Sequence, residues 1–133
     1  MKKISFVIAL AFVFAIGAIE ASAQSKVNVR FARGASSATV SGSIRGERYV
    51  DYVLKASGGQ FLTVVLTKRS GAPALFNILP LGSEVAISDD ARQSTNWSGE
   101  LPNDGTYVVR VYMEKGDRQN GRSSSYRISF RIR

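Results

Sequence analysis

Two pairs of carboxylates lie close enough along the chain to be weighed for acid and base work: Asp89 with Asp90, and Glu47 with Asp51. Glycosidic cleavage needs two carboxyl groups flanking one bond, about 5 to 10 Å apart. Neighbouring residues on a strand point to opposite faces, and a run such as "SDDARQ" suits the cap of a turn better than a catalytic pair. Histidine and cysteine are absent. Neither Ser-His-Asp nor Cys-His chemistry can therefore be assembled, and a zinc-thiolate site has no ligands. A calcium loop made from Asp89, Asp90 and Asp104 lacks the acid spacing of a recognised motif. The expectation is a protein that is not an enzyme, with no catalytic residues, no cofactor and no metal.

What remains is cationic surface. The stretch "MEKGDRQNGRSSS", residues 113–125, carries Lys115, Arg118 and Arg122 with Glu114 and Asp117 to offset them, and Asn120-Gly121 supplies turn chemistry. A second patch, "RGERY" at residues 45–49, brings Arg45, Glu47, Arg48 and Tyr49. Tyr49 faces outward if Tyr52 faces in, because the two are an odd number of strand residues apart.

The elements that must hold these patches are strands. After Lys26, apolar residues alternate with polar ones, the period of a half-buried strand. Val27, Val29 and Phe31 share a face; so do Ala38, Val40 and Ile44, and then Val50, Tyr52, Leu54 and Ala56. Gly58-Gly59 suggests a tight hairpin turn before "QFLTVVLT", and "ALFNILP" reads as a buried strand closed by Pro80. Residues 81–97 are irregular and predict a loop-rich crossing with Trp97 as a core plug. In the last third, Tyr107, Val109, Val111 and Met113 alternate with Val108, Arg110 and Tyr112, and Tyr126, Ile128, Phe130 and Ile132 alternate with positions expected to be exposed. These two strands are consecutive, so they are expected to pair as a hairpin with the basic stretch projecting from its tip. That connection is longer than the usual two to five residues, which favours a contact role. Asn103, Gly105 and Tyr107 have the spacing of a tyrosine corner. The fold class is all-β: a single antiparallel β-sandwich of seven to eight strands.

The start of the chain has Lys2 and Lys3, an apolar run to Ile19 and a small-residue Ala21-Ser22-Ala23 exit. That is the pattern of a cleaved signal peptide over residues 1–23, leaving residues 24–133 as one exported domain. A cysteine-free exported domain fits the periplasm. Setting aside Lys2, Lys3 and Glu20 leaves 16 basic and nine acidic residues, a net charge of about +7. Export argues against nucleic acid as partner of that charge and leaves an acidic protein surface or an anionic envelope polymer. No membrane insertion of the mature chain is expected.

"VNVRFARGASSATVSGSIRGERYVDYVLKASGGQ", with "LPNDGTYVVRVYMEKGDRQN" and the closing "YRISFRIR", resembles the periplasmic inhibitors of goose-type (g-type) lysozyme. The skeleton Ser41-Gly42, Gly46, Tyr52, Gly59-Gln60, Leu101-Pro102, Gly105, Tyr107 and Arg110-Val111 is also similar to the wider group of bacterial pre-peptidase C-terminal β-sandwich domains. The resemblance implies a small periplasmic sandwich that binds a host g-type lysozyme and blocks its cleft. It places partner contacts at Lys115, Asp117 and Arg118 in the loop before the last strand, and at Glu47 and Tyr49 in the turn after "SG.I.G"; Arg45, Arg48 and Arg122 flank them. The family pattern has arginines in the loop and tyrosines in the turn, so Lys115 and Glu47 depart from it. Lysine lacks the planar fork that grips a carboxylate twice. The rival reading is an envelope module that holds anionic glycan or lipopolysaccharide by diffuse charge.

Overall fold

Period-two alternation leaves each strand one apolar face, and two such sheets bury those faces against each other. The computed structural model describes residues 24–31 and 33–133. The signal-peptide reading of residues 1–23 lies outside the described residues. The strands are β1 (Gln24–Asn28), β2 (Ser37–Arg45), β3 (Tyr49–Ala56), β4 (Phe61–Gly71), β5 (Ala74–Pro80), β6 (Asn96–Glu100), β7 (Gly105–Met113) and β8 (Ser123–Ile132). A 3-10 turn covers Asp89–Ala91, and one short helix, α1, covers Lys115–Gln119. Among the described residues no helix is long and apolar enough to cross a membrane.

One sheet has the order β1-β3-β7-β5, the other β2-β8-β4-β6. This is the β-sandwich that alternation predicts, with one ladder, β1 against β3, running parallel. The first sheet turns Tyr52, Leu54, Phe76, Ile78, Val109 and Val111 inward; the second turns Leu62, Val64, Trp97, Tyr126, Ile128 and Phe130 inward to meet them. Trp97 is a core plug as expected. Its indole Nε1 donates to Asp90 Oδ1 at 3.1 Å, and the hydrogen bond from the Ser88 hydroxyl, helped by that one, holds the Asp90 carboxyl below its ordinary range. The tyrosine corner is also present: the Tyr107 hydroxyl donates to the Asn103 carbonyl at 2.5 Å and accepts from the Asn103 amide at 3.1 Å.

Two expectations about connectivity are corrected. β7 and β8 do not form a hairpin: β7 lies between β3 and β5, while β8 lies between β2 and β4 in the other sheet. Alternation says which face of a strand is buried but not which sheet it joins, and residues 114–122 are long enough to span the ~10 Å between packed sheets. Gly58-Gly59 likewise joins β3 and β4 across the two sheets, and only Gly59 has a positive φ, 87°.

One glycine of the "SG.I.G" motif has a direct physical reason. Tyr52 and Tyr126 come from opposite sheets, and their hydroxyls share a hydrogen bond of 2.7 Å in the core. Burial pushes both phenols up, so the pair stays protonated and neutral. A Cβ at Gly42 would stand 2.6 Å from Tyr126 Oη and 2.8 Å from Tyr52 Oη. Both rings are buried and have no room to retreat. Gly42→Ala is therefore expected to cost about 1 to 3 kcal/mol by overpacking. The check is urea unfolding: the midpoint should fall at constant slope, and an unchanged midpoint would show that the tyrosine pair can step aside.

Candidate functional site

Three connections meet at one end of the sandwich: residues 46–48 between β2 and β3, residues 72–73 between β4 and β5, and residues 114–122 between β7 and β8. The backbone stitches them together. Gly46, in the left-handed region at φ 57°, donates its amide to the Arg122 carbonyl at 2.9 Å, and Ala72 donates to the Ser123 carbonyl at 2.8 Å. The turn needs a left-handed residue at this position, a backbone conformation that glycine adopts without steric cost, which accounts for glycine at position 46.

The basic stretch is a folded crossover and not a projecting finger. α1 is a single turn of helix whose amides are used locally: Arg118 donates to the Glu114 carbonyl at 2.9 Å and Asn120 to the Gly116 carbonyl at 3.1 Å. The Arg118 guanidinium bends back onto the frame. Its Nη1 donates to the Met113 carbonyl at 2.6 Å and its Nε pairs with Glu47 Oε2 at 3.3 Å. The crossover and the 45–49 turn are thus one surface, joined by Gly46 to Arg122 and by Arg118 to Glu47. Arg122 is paired more loosely with Asp117, at 3.5 Å. Lys115, Arg45 and Arg48 are exposed and have no ion-pair partner among the described residues.

Below this end, on the outer face of the first sheet, lies an open cleft of about 270 Å³ lined by Glu47, Tyr49, Asn77, Arg110, Tyr112 and Arg118. Tyr49 faces outward, as alternation against Tyr52 requires, and the Arg110 guanidinium lies 4.7 Å from its ring centroid. Arg110 is itself held by the Asp51 carboxylate, Nε to Oδ1 at 2.8 Å and Nη2 to Oδ2 at 3.1 Å. Its Nη1 reaches Glu84 at 3.0 Å, and bonding to Asp51 holds the guanidinium firmly protonated. The amide of Gln24 donates to Asp51 Oδ2 at 2.6 Å, so the carboxylate is buried but fully occupied. On the far side of the cleft the Tyr112 hydroxyl donates to Asn77 Oδ1 at 2.9 Å.

Of the residues expected at the site, Glu47, Tyr49 and Arg118 share the cleft. Arg45 and Arg48 line a neighbouring depression with Ser43 and Ser123. Lys115 lies with Glu114, Arg118 and Tyr112 on the other side. Arg122 and Asp117 spend their charge mainly on each other. Asp51, Arg110, Asn77 and Tyr112 were not expected. The signal for Asp51 and Arg110 was available, as opposite charges on the outward faces of two core strands, but it becomes legible only once β3 is known to pair with β7, where the two stand directly opposite. The acids weighed for calcium are dispersed: Asp104 accepts from the Gly58 amide at 2.7 Å and Asp90 from Trp97. Among the described residues no three His, Cys, Asp or Glu side chains gather.

By fold this is a small β-sandwich, and solved structures share that fold. PliG of Aeromonas hydrophila, a periplasmic inhibitor of g-type lysozyme, matches with a TM-score of 0.74 and 31% identity over 83% of this chain and 97% of that one. A mutant of the Escherichia coli PliG matches with a TM-score of 0.67 and 27% identity, covering 83% and 99%. By sequence, the inhibitor of g-type lysozyme of Escherichia coli K12 is 29% identical over 120 residues, 84% of each chain. The pre-peptidase C-terminal domain of a Bacillus anthracis collagenase shares the fold alone, with a TM-score of 0.51 and 11% identity over 83% and 94%. No protein-family model matches. The chain belongs to the PliG family of periplasmic inhibitors of g-type lysozyme, which are binding proteins and not enzymes.

Proposed function

We propose that this protein inhibits g-type lysozyme from the periplasm, and that it does so by seating the end built from residues 45–49 and 114–122 in the cleft of the enzyme. Family membership supports the inhibition. The observation that carries the mechanism is the joining of the two cationic segments into one preformed surface by the Gly46 amide and the Arg118–Glu47 pair. A surface ordered before binding loses little conformational entropy on docking.

The cleft of a lysozyme binds a polysaccharide and carries a carboxyl group that protonates the glycosidic oxygen. A cation placed against that carboxyl group blocks the acid and the substrate together. Lys115 is free to do so at once. Arg118 has to exchange Glu47 for the carboxylate of the enzyme, and because the Glu47 side chain is 67% exposed the pair it gives up is worth no more than about 1 kcal/mol. Tyr49, stiffened by Arg110 beneath it, offers a flat amphipathic ring beside these cations, the residue type that anchors interfaces. Arg45 and Arg48 add attraction at the rim and speed encounter with an acidic cleft.

The test is lysis of a Gram-positive cell suspension by g-type lysozyme with and without the purified domain. Slowing that saturates near equimolar inhibitor is expected, and unimpaired lysis at large molar excess would reject the function itself.

A further inference from the structure

The second sheet turns a different surface to solvent, one that shares Arg45 alone with the inhibitory end. Along β8 the outward residues include Ser125, Arg127, Ser129 and Arg131, because Tyr126, Ile128 and Phe130 between them are buried. The register puts Arg127 between Ser41 of β2 and Thr67 of β4, and Arg131 between Ser37 of β2 and Thr63 of β4. Each arginine therefore has a short hydroxyl side chain directly opposite it on both neighbouring strands, with Val65 on the diagonal of both and Phe61 on the diagonal of Arg131. Lys68 and Arg69 stand on β4 at the register shift beside Ser70, and Arg45 ends β2 opposite Ser123. None of these cations has an ion-pair partner among the described residues. The four strands carry one acid, Glu100, on the edge strand β6.

We propose that this face is a docking track for an extended anionic polysaccharide. Arg131 and Arg127 are four residues apart on one strand, about 13 Å, and Arg45 lies about as far again beyond Arg127, one strand over. Such spacings exceed the screening length of about 8 Å at physiological ionic strength, so the arginines scarcely repel one another and a small anion can engage only one. A linear polymer with charge along its length engages them in series. Guanidinium groups bind sulfate, phosphate or carboxylate by paired N–H donors, and the flanking serine and threonine hydroxyls donate to and accept from sugar hydroxyls. Nucleic acid fits less well because this face offers one aromatic ring, Phe61 with Arg133 over it, and not the series of rings on which successive bases stack. A membrane surface fits less well because Phe61 is the one exposed large hydrophobic residue on this sheet, and Arg133 lies over its ring. Since Arg45 lies where the track meets the sandwich end, a bound polymer would hold the inhibitory surface at one end of its path. The inference does not depend on lysozyme being the target.

The experiment uses dextran sulfate and neutral dextran of matched length, titrated against the protein at physiological salt. Dextran sulfate should bind and neutral dextran should not. Arg127→Ser with Arg131→Ser should weaken dextran sulfate binding by about tenfold or more, whereas Arg30→Ser with Lys55→Ser, cations associated with the other sheet, should weaken it by about twofold or less. Both double variants should keep the unfolding midpoint and the lysozyme inhibition of the parent, which separates this surface from the inhibitory one. Arg127→Gln with Arg131→Gln provides the same comparison if serine lowers stability. Equal losses from the two pairs would overturn the track in favour of diffuse charge. Tighter binding to single-stranded DNA or to anionic phospholipid vesicles at equal charge would overturn the choice of polysaccharide.

Discussion

Replacing both Lys115 and Arg118 by alanine is expected to weaken binding to g-type lysozyme by about 2 to 5 kcal/mol, roughly thirtyfold to a few thousandfold. The size follows from burial: a cation that meets a carboxylate inside a closed cleft leaves that carboxylate desolvated and unpaired when it is removed. Arg118 also braces the end of β7 through the Met113 carbonyl and the 45–49 turn through Glu47. Its loss loosens the preformed surface as well as removing a charge. The fold should survive, because the Glu47 side of the broken ion pair is largely exposed and the pair contributes no more than about 1 kcal/mol. Titration calorimetry against the lysozyme measures the effect, with Arg127→Ala and Arg131→Ala as the comparison. If that pair costs as much, attraction is diffuse and the crossover has no special part.

Asp51→Ala is expected to be the most damaging change on the outer face, lowering stability by about 2 to 4 kcal/mol. Asp51 is 4% exposed and receives Arg110 on both oxygens together with the amide of Gln24. Removing it leaves the guanidinium partly buried, with Glu84 alone to compensate. Function should suffer too, because Arg110 supports the Tyr49 ring. Chemical denaturation measures the first effect and lysozyme affinity the second. A stability loss below about 1 kcal/mol would mean that water reaches the site and that the pair behaves as a surface one.

The strands were legible because a face buried in a sandwich must repeat every second residue, and Tyr107 to Met113 and Tyr126 to Ile132 do so without a break. Which strand lies beside which was not, since β7 and β8 carry the same pattern whether they pair with each other or with strands of opposite sheets. The tyrosine corner was legible because three residue types at fixed spacing make one local bond; α1 was missed because a five-residue turn of helix leaves no periodic signal. At the site, cation content and family resemblance marked residues 45–49 and 114–122 separately. Their union through Gly46 and Arg122 depends on both connections falling at one end, a property of topology. Asp51 and Arg110 escaped for the same reason: each looks like an ordinary outward residue until β3 is laid against β7.

Competition for the catalytic groove of the enzyme decides the matter most directly. Affinity for g-type lysozyme should be measured as the groove is filled with a soluble N-acetylglucosamine oligomer. If the joined turn and crossover occupy that groove, apparent affinity falls in step with oligomer occupancy and reaches no plateau. Undiminished affinity for an enzyme already saturated with sugar would place the contact elsewhere and contradict the account.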